Sequence, residues 1–179
     1  PIYKKESAAL ELKGDALLMG KGTLTLALKA RLFDNLNTFS LTGKLSEMEV
    51  KELNPILEKN ANIYVSSGKI NQMNFIFSAN NTQATGRLIM LYHDLDLAVK
   101  NNGTEDVTTI KERLSSWMAN IKVMNSNPLP GENLRVGIIE YERDPEKFLF
   151  NYCFKSIFSG IKSMLSKTKK NNSKSSQHD

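Results

Sequence analysis

Apolar side chains occupy every second position between Thr23 and Phe33, and this alternation restricts the fold more than any other feature of the chain. One side of the segment carries Leu24, Leu26, Leu28, Ala30 and Leu32, and the other carries Thr23, Thr25, Lys29 and Arg31. A period of two is typical of a β-strand with one apolar face and one solvated face. Ala16 to Met19, followed by the turn sequence Gly20-Lys21-Gly22, predicts an antiparallel neighbour before it.

Strand character recurs along much of the remaining chain. The further segments are Phe39 to Leu45, Ile63 to Ser66, Ile70 to Ala79, Thr85 to Val99 and Leu134 to Arg143. Around Leu88 to Tyr92 both faces are apolar, which predicts a strand in the interior of the sheet. The alternation changes phase at His93-Asp94, and we expect a β-bulge there.

Amphipathic helices are predicted at three places. Ser46 and Glu49 fit a capping box that opens the first helix, and Pro55 is expected to break or kink it. Apolar residues at helical spacing predict the second helix from Thr104 to Ala119, and Asp144-Pro145-Glu146 is a favourable start for the third.

A single domain accounts for these elements. With 179 residues, of which 40% are hydrophobic, the chain can bury one core. We predict an α+β domain over residues 1–165, built from a mainly antiparallel, curved, trough-like sheet that three amphipathic helices partly cover. Residues 166–179 are rich in Lys, Ser and Asn and are predicted to form a disordered basic tail.

The last predicted helix has one broad apolar face. That face carries Phe150, Cys153, Phe154, Ile157, Phe158, Ile161, Met164 and Leu165, and the opposite face carries Asn151, Lys155, Ser159 and Lys162. Such a helix can lie in a membrane surface with Lys155 and Lys162 toward the headgroups. It can equally close over the sheet as a lid or dock on it as part of the core. All three interpretations fit the pattern.

The net charge of +5 is concentrated at the C-terminal end. From residue 155 onward there are six lysines and one acid, and the remaining 18 basic and 18 acidic residues cancel. A neutral body argues against a nucleic-acid-binding domain, which would carry a basic face of its own. We therefore expect no nucleic acid among the partners.

No set of residues predicts catalysis or a cofactor. Glu140 and Glu142 share one side of a strand, as alternate polar residues on an exposed face also do. The sequence Tyr92-His93-Asp94 lacks a serine nucleophile elbow. The one cysteine, Cys153, excludes a disulfide framework, and His178 lies in the tail, so no metal site is predicted. We expect a protein that is not an enzyme and has no cofactor.

Several short motifs carry a family resemblance. They are Leu53-Asn54-Pro55-Ile56-Leu57, Ser67-Gly68-Lys69-Ile70, Ala84-Thr85-Gly86, Tyr92-His93-Asp94-Leu95, Tyr141-Glu142-Arg143-Asp144, and the ending from Asn151-Tyr152 through Lys155-Ser156 to Ser159-Gly160-Ile161-Lys162. In this order, over about Leu45 to Lys162, the chain resembles the C-terminal region of AsmA-like proteins of Gram-negative bacteria, especially Bacteroidota. These proteins are related to bridge-like lipid transfer proteins and have no catalytic motif to carry over.

The resemblance implies a role in phospholipid transport or outer-membrane homeostasis. It also implies a periplasmic location, with an inner-membrane anchor in a part of the protein outside this chain. Since the chain begins at Pro1 and soon enters strand-like sequence, we expect it to be the C-terminal segment of a longer protein. The implied partner is phospholipid or a membrane surface, with an envelope protein as a further candidate.

The candidate lipid-facing residues follow from the strand faces. They are Leu24, Leu26, Leu28, Met73, Phe75 and Phe77, and the candidate membrane or lid residues are Phe150, Phe154, Ile157, Phe158, Ile161, Lys155 and Lys162. A continuous aliphatic sheet face can keep an acyl chain from water without any chemistry. Helices ordinarily bury such a face, so a closed core also fits. The alternative function is a protein–protein interaction module whose terminal helix binds a partner or a membrane surface.

Overall fold

One antiparallel sheet dominates the fold. The computed structural model describes residues 9–31, 34–61, 63–98 and 123–166. Within these ranges the strands are β1 (Ala9–Leu18), β2 (Gly22–Arg31), β3 (Phe39–Leu45), β4 (Met48–Glu49), β5 (Tyr64–Ala79), β6 (Gln83–Ala98) and β7 (Gly137–Glu142). A 3₁₀ helix (Val50–Leu53) and two α-helices, α1 (Asn54–Ala61) and α2 (Leu149–Leu165), complete the described elements.

The sheet is open, with the strand order β1-β2-β3-β5-β6-β7 and with β4 paired to β5. All of these strand pairs are antiparallel, which confirms the prediction of a mainly antiparallel α+β fold. The predicted helix from Thr104 to Ala119 lies outside the described residues, as does the tail from residue 167 onward.

A single apolar face extends across the whole sheet. The strand register places Gly14, Leu26, Gly43, Phe75 and Leu88 in one transverse row over β1, β2, β3, β5 and β6. Because side chains alternate between the faces, parallel rows of aliphatic residues flank this one, and the opposite face is mainly polar. The apolar face is buried on β3 and β5, half-buried on β2 and exposed along most of β1. The side chains of the apolar face are therefore progressively more exposed from β3 to β1.

The bulge predicted at His93-Asp94 is confirmed. Between the pairs Ser67↔Asp96 and Lys69↔His93, β6 contains one more residue than β5. Asp94 has φ +54° and Gly68, opposite it, has φ +133°. Because glycine tolerates this conformation, β5 continues through Gly68 as one strand rather than as the two predicted segments.

Both helix starts differ from the predicted ones. Ser46 is not an N-cap: its hydroxyl oxygen accepts a hydrogen bond from the N–H of Thr23 at 2.8 Å, and Glu49 belongs to β4. Asp144 closes a turn instead. Its side-chain carboxylate accepts a hydrogen bond from the N–H of Glu146 at 3.0 Å, and its backbone carbonyl accepts one from the N–H of Lys147 at 3.2 Å. Ser46 therefore pairs with the start of β2 and Asp144 with a local turn, so neither side chain caps a helix.

Helix α2 packs on the sheet through a stripe of every fourth residue that has small side chains at its centre. Tyr152, Ser156, Gly160 and Met164, spaced four residues apart, are its buried stripe. A Cβ added at Gly137 of β7 would lie 2.1 Å from the carbonyl oxygen of Gly160. The helix backbone therefore rests directly on the strand backbone, which two glycines permit.

The same helix covers the free edge of β7. The N–H of Ile138 donates to the Ser163 hydroxyl oxygen, and the N–H of Glu140 donates to that of Ser159, each at 3.1 Å. Unpaired edge groups invite strand addition, and these two are satisfied within the molecule.

We predict that the buried Asn54 side chain stabilises the packing of the start of α1 against β5. Its amide donates to the carbonyl of Val65 and accepts from the N–H of Val65, both at 2.9 Å. Asn54→Ala leaves both backbone groups buried and unpaired, so we expect a loss of about 2 kcal/mol in the free energy of unfolding, measured with urea. Asn74→Ala, on the exposed face of β5, is the control. Equal losses in the two variants would contradict this assignment.

Candidate ligand-binding cavity

A cavity of about 760 Å³ lies between the apolar sheet face and α2. Side chains of β1, β2, β3, β5 and β6 form its floor and sides, and the 3₁₀ helix and α1 contribute a further wall. Helix α2 forms its roof with side chains from Leu149 to Leu165. Its volume falls within the range of about 300–1,000 Å³ that small-molecule sites occupy.

The lining is almost entirely apolar. Among the described lining residues, only Lys13, Asp15 and Lys162 are charged. Asp15 accepts a hydrogen bond from the Thr25 hydroxyl at 2.5 Å, and Lys13 forms an ion pair with Glu11 at 3.0 Å. Aliphatic and aromatic side chains make up nearly all of the rest. The site can therefore remove a hydrocarbon from water, and the only charged side chain that α2 adds to the described lining is Lys162.

The roof is formed by the apolar face of α2. Because the buried stripe packs on β6 and β7, the apolar side chains on the next face of the helix point toward the cavity. Phe154 and Phe158 stack with ring centroids 6.0 Å apart and an interplanar angle of 7°. The Nζ of Lys162 lies 5.8 Å from the centroid of the Phe158 ring. The roof thus contains two parallel aromatic rings with a cation beside one of them.

Most of the residues singled out in the sequence line this cavity. The ones that do are Leu24, Leu26, Leu28, Met73, Phe75, Phe150, Phe154, Ile157, Phe158, Ile161 and Lys162. Phe77 does not, because it packs between Phe39 (ring centroids 6.2 Å apart) and Phe75 (6.3 Å) in the closed part of the core. Lys155 is also not among the lining residues. One part of the apolar face therefore lines a cavity, and another part is closed core.

Other lining residues were not assigned to the site from the sequence. They include Leu12 and Leu18 of β1, Leu53 and Leu57 of the helical wall, Leu95 and Leu97 of β6, and Cys153 of α2. For β1, the sequence did contain a signal for the apolar face, because apolar or small residues occupy every even position from Leu10 to Leu18. Nothing in the local pattern indicates that the helical wall and the far end of β6 converge on the same space.

Burial of Cys153 in this apolar wall raises the pKa of its thiol to about 11, from an ordinary value of 9.0. The thiolate is the reactive form, so its fraction at pH 8 is about 100-fold smaller than for an ordinary cysteine. We predict that iodoacetamide alkylation accelerates up to pH 10 without a plateau near pH 9, as followed by mass spectrometry. The urea-unfolded chain is the control, since its thiol is solvated. A plateau at or below pH 9 in the folded protein would contradict the burial of the thiol.

The polar clusters noted in the sequence do not converge. Glu140 and Glu142 are exposed on the outer face of β7. The Nδ1 of His93 lies 2.8 Å from Asp94 at the surface, whereas the buried hydroxyl of Tyr92 donates to the carbonyl of Met124 at 2.9 Å. In the described ranges, no three His, Cys, Asp or Glu residues are grouped as a metal site would need. The expectation that the protein is not an enzyme stays a prediction.

Comparison with known proteins finds no matching family model, no matching curated protein and no matching solved structure. Within the described part of the chain, no helix has the length and apolar character needed to cross a bilayer.

Proposed function

We propose that the chain is a non-enzymatic segment of an AsmA-like envelope protein and that its cavity holds an acyl chain of a phospholipid. The observation that carries the proposal is the cavity of about 760 Å³ with its nearly uninterrupted apolar lining. An enzyme site would need converging polar groups for chemistry. A site that only carries hydrocarbon needs a continuous apolar surface, and the described lining has that character.

The energetics favour an acyl chain over a compact polar ligand. Each methylene moved from water into the cavity contributes about 0.8 kcal/mol, so a long chain gains affinity with length. A polar ligand would lose its water hydrogen bonds and find few replacements among the lining residues. The headgroup of a phospholipid would remain at the rim, where Lys162 lies.

The finer features expected from the sequence belong to the same proposal. They are the trough-like curvature of the sheet, the second predicted helix from Thr104 to Ala119, the periplasmic location and the anchor in another part of the protein. The apolar face that continues from Leu88 across to Gly14 of β1 is the surface that such a trough would expose to lipid. In a longer protein of this kind, the segment would contribute to phospholipid transport or outer-membrane homeostasis.

Native mass spectrometry of the chain purified without detergent tests the proposal. We expect a protein–phospholipid species, and we expect delipidated, refolded protein to regain one phospholipid from a stoichiometric mixture. Extraction and lipid analysis then identify the acyl chains. A protein that carries no lipid after purification and regains none after delipidation would overturn the proposal for this segment.

A second candidate function is a protein–protein interaction module, and the edge of β1 favours it. No described strand pairs with the outer side of β1, whereas the free edge of β7 is covered by α2. Ten residues of exposed edge can accept a strand from a partner. A photoreactive group at Ala9 that cross-links one defined protein partner, in protein whose cavity takes up no lipid, would favour this function over the first.

A further inference from the structure

The two most exposed large apolar side chains of the described chain, Phe148 and Phe150, flank Leu149 at the start of α2. Phe148 is 89% exposed, Leu149 48% and Phe150 79%. We refer to these three consecutive residues as the α2 tip. Exposed apolar side chains are common singly, but a run of three with this exposure indicates contact with something apolar.

The α2 tip is continuous with the cavity. Leu149 and Phe150 line it, and Leu12 of β1, which is 53% exposed, is a further lining residue at the surface. A hydrocarbon that enters between these side chains would cross water if the opening faced solvent. It would avoid water if the opening faced the acyl layer of a membrane.

Taking the proposed function as its basis, we infer that the α2 tip inserts into a lipid surface and brings the cavity opening to the acyl layer. This differs from a helix lying in the membrane along its length, because the Tyr152–Met164 stripe is buried on the sheet and the next face roofs the cavity. Only the first residues of the helix are available to lipid.

The charges beside the α2 tip indicate how it binds. The segment from Arg143 to Lys147 that precedes it carries two basic and two acidic residues, which cancel. Attraction to anionic headgroups therefore contributes little, and insertion of aromatic side chains supplies the affinity. The tip is expected to bind neutral phosphatidylcholine vesicles, with little dependence on salt concentration.

Co-flotation of the chain with phosphatidylcholine vesicles tests this inference. Phe148→Asp is expected to lower the vesicle-bound fraction by about 10-fold, because a charge at the apolar tip opposes insertion. Leu17→Asp is the matched control, because Leu17 is also exposed (65%) but lies on the opposite face of β1, and it is expected to float like the parent protein.

A second measurement separates this inference from the proposed function. Phe148 is not a lining residue, so Phe148→Asp should bind a fluorescent acyl probe in solution as the parent protein does. Equal flotation of Phe148→Asp and the parent would overturn the tip assignment, even if both bind the probe. The same holds if the parent does not float, or if light scattering shows that Phe148→Asp dissociates an oligomer. If the parent protein itself does not bind the acyl probe, that result would instead count against the proposed function.

Discussion

Leu26→Asp is expected to lower the affinity of the cavity for an acyl probe by about 100-fold, because a carboxylate would replace an aliphatic side chain on the cavity floor. Leu26 lies between Gly14 and Gly43 in the register of β1, β2 and β3. Neither neighbour can offer the new charge a partner. An acyl chain bound above it would desolvate the carboxylate, and the free energy of this desolvation would directly lower the affinity. Titration of the probe against the delipidated protein measures the change.

The affinity of Leu26→Asp should depend on pH in a defined direction. Burial under a ligand disfavours the charged form, so the pKa of the new carboxyl is higher in the complex than in the free protein. Binding therefore improves as pH falls from that raised pKa to the pKa of the free protein, and the affinity is constant above and below this interval. The parent protein should show no such dependence in this range.

Ala27→Asp is the matched control for this substitution. Ala27 is the next residue on β2 and lies on the opposite face, where its register neighbours are Lys13 and Thr42. We expect its probe affinity to stay within about 2-fold of the parent, because the new carboxylate faces water on the polar side of the sheet. Equal losses in both variants would mean that the sheet, and not its apolar face, was damaged.

Gly137→Ala is expected to destabilise the fold by about 3 kcal/mol, the largest stability effect that we predict for a single methyl group. The added Cβ would lie 2.1 Å from the carbonyl oxygen of Gly160 and 2.9 Å from its carbonyl carbon. Both contacts are with backbone, so the strand or the whole helix must move. Since α2 roofs the cavity, the displacement should also weaken probe binding. Urea denaturation gives the free energy of unfolding.

Gly14→Ala provides the control, because a Cβ at Gly14 would meet no atom within 4 Å. Alanine loses less conformational entropy on folding than glycine, so this variant should be neutral or slightly more stable. A Gly137→Ala protein as stable as Gly14→Ala would show that α2 does not rest on β7 at this point.

The period-two alternation predicted most of the sheet because one face is buried and the other is wet. The register that follows from it brought Leu26 and Phe75 onto the same face as expected. The break predicted around Gly68 was wrong, since a positive φ at one glycine lets β5 continue through the bulge. Such backbone accommodation depends on the partner strand, and the local sequence does not contain that information.

The docking face of α2 shows why the site was only partly predictable. Hydrophobicity alone favours burying Phe154 and Phe158 against the sheet, whereas the structure buries Ser156 and Gly160 there. Close approach of helix and strand backbones, and the hydrogen bonds of Ser159 and Ser163 to the edge of β7, stabilise this choice. Small residues carry no strong signal in a hydrophobicity pattern, so the resulting cavity could not be inferred from it.

Photo-cross-linking with a fatty acid that carries a diazirine near its methyl end tests the central claim most directly. The end of an acyl chain that enters between Leu149 and Leu12 should label residues deep in the cavity, in the peptides that contain Met73, Phe75 or Ile157. Labelling should saturate, and unlabelled phospholipid should compete with it. Labelling confined to the exposed α2 tip, or labelling that does not saturate, would contradict an acyl-binding cavity between the sheet and α2.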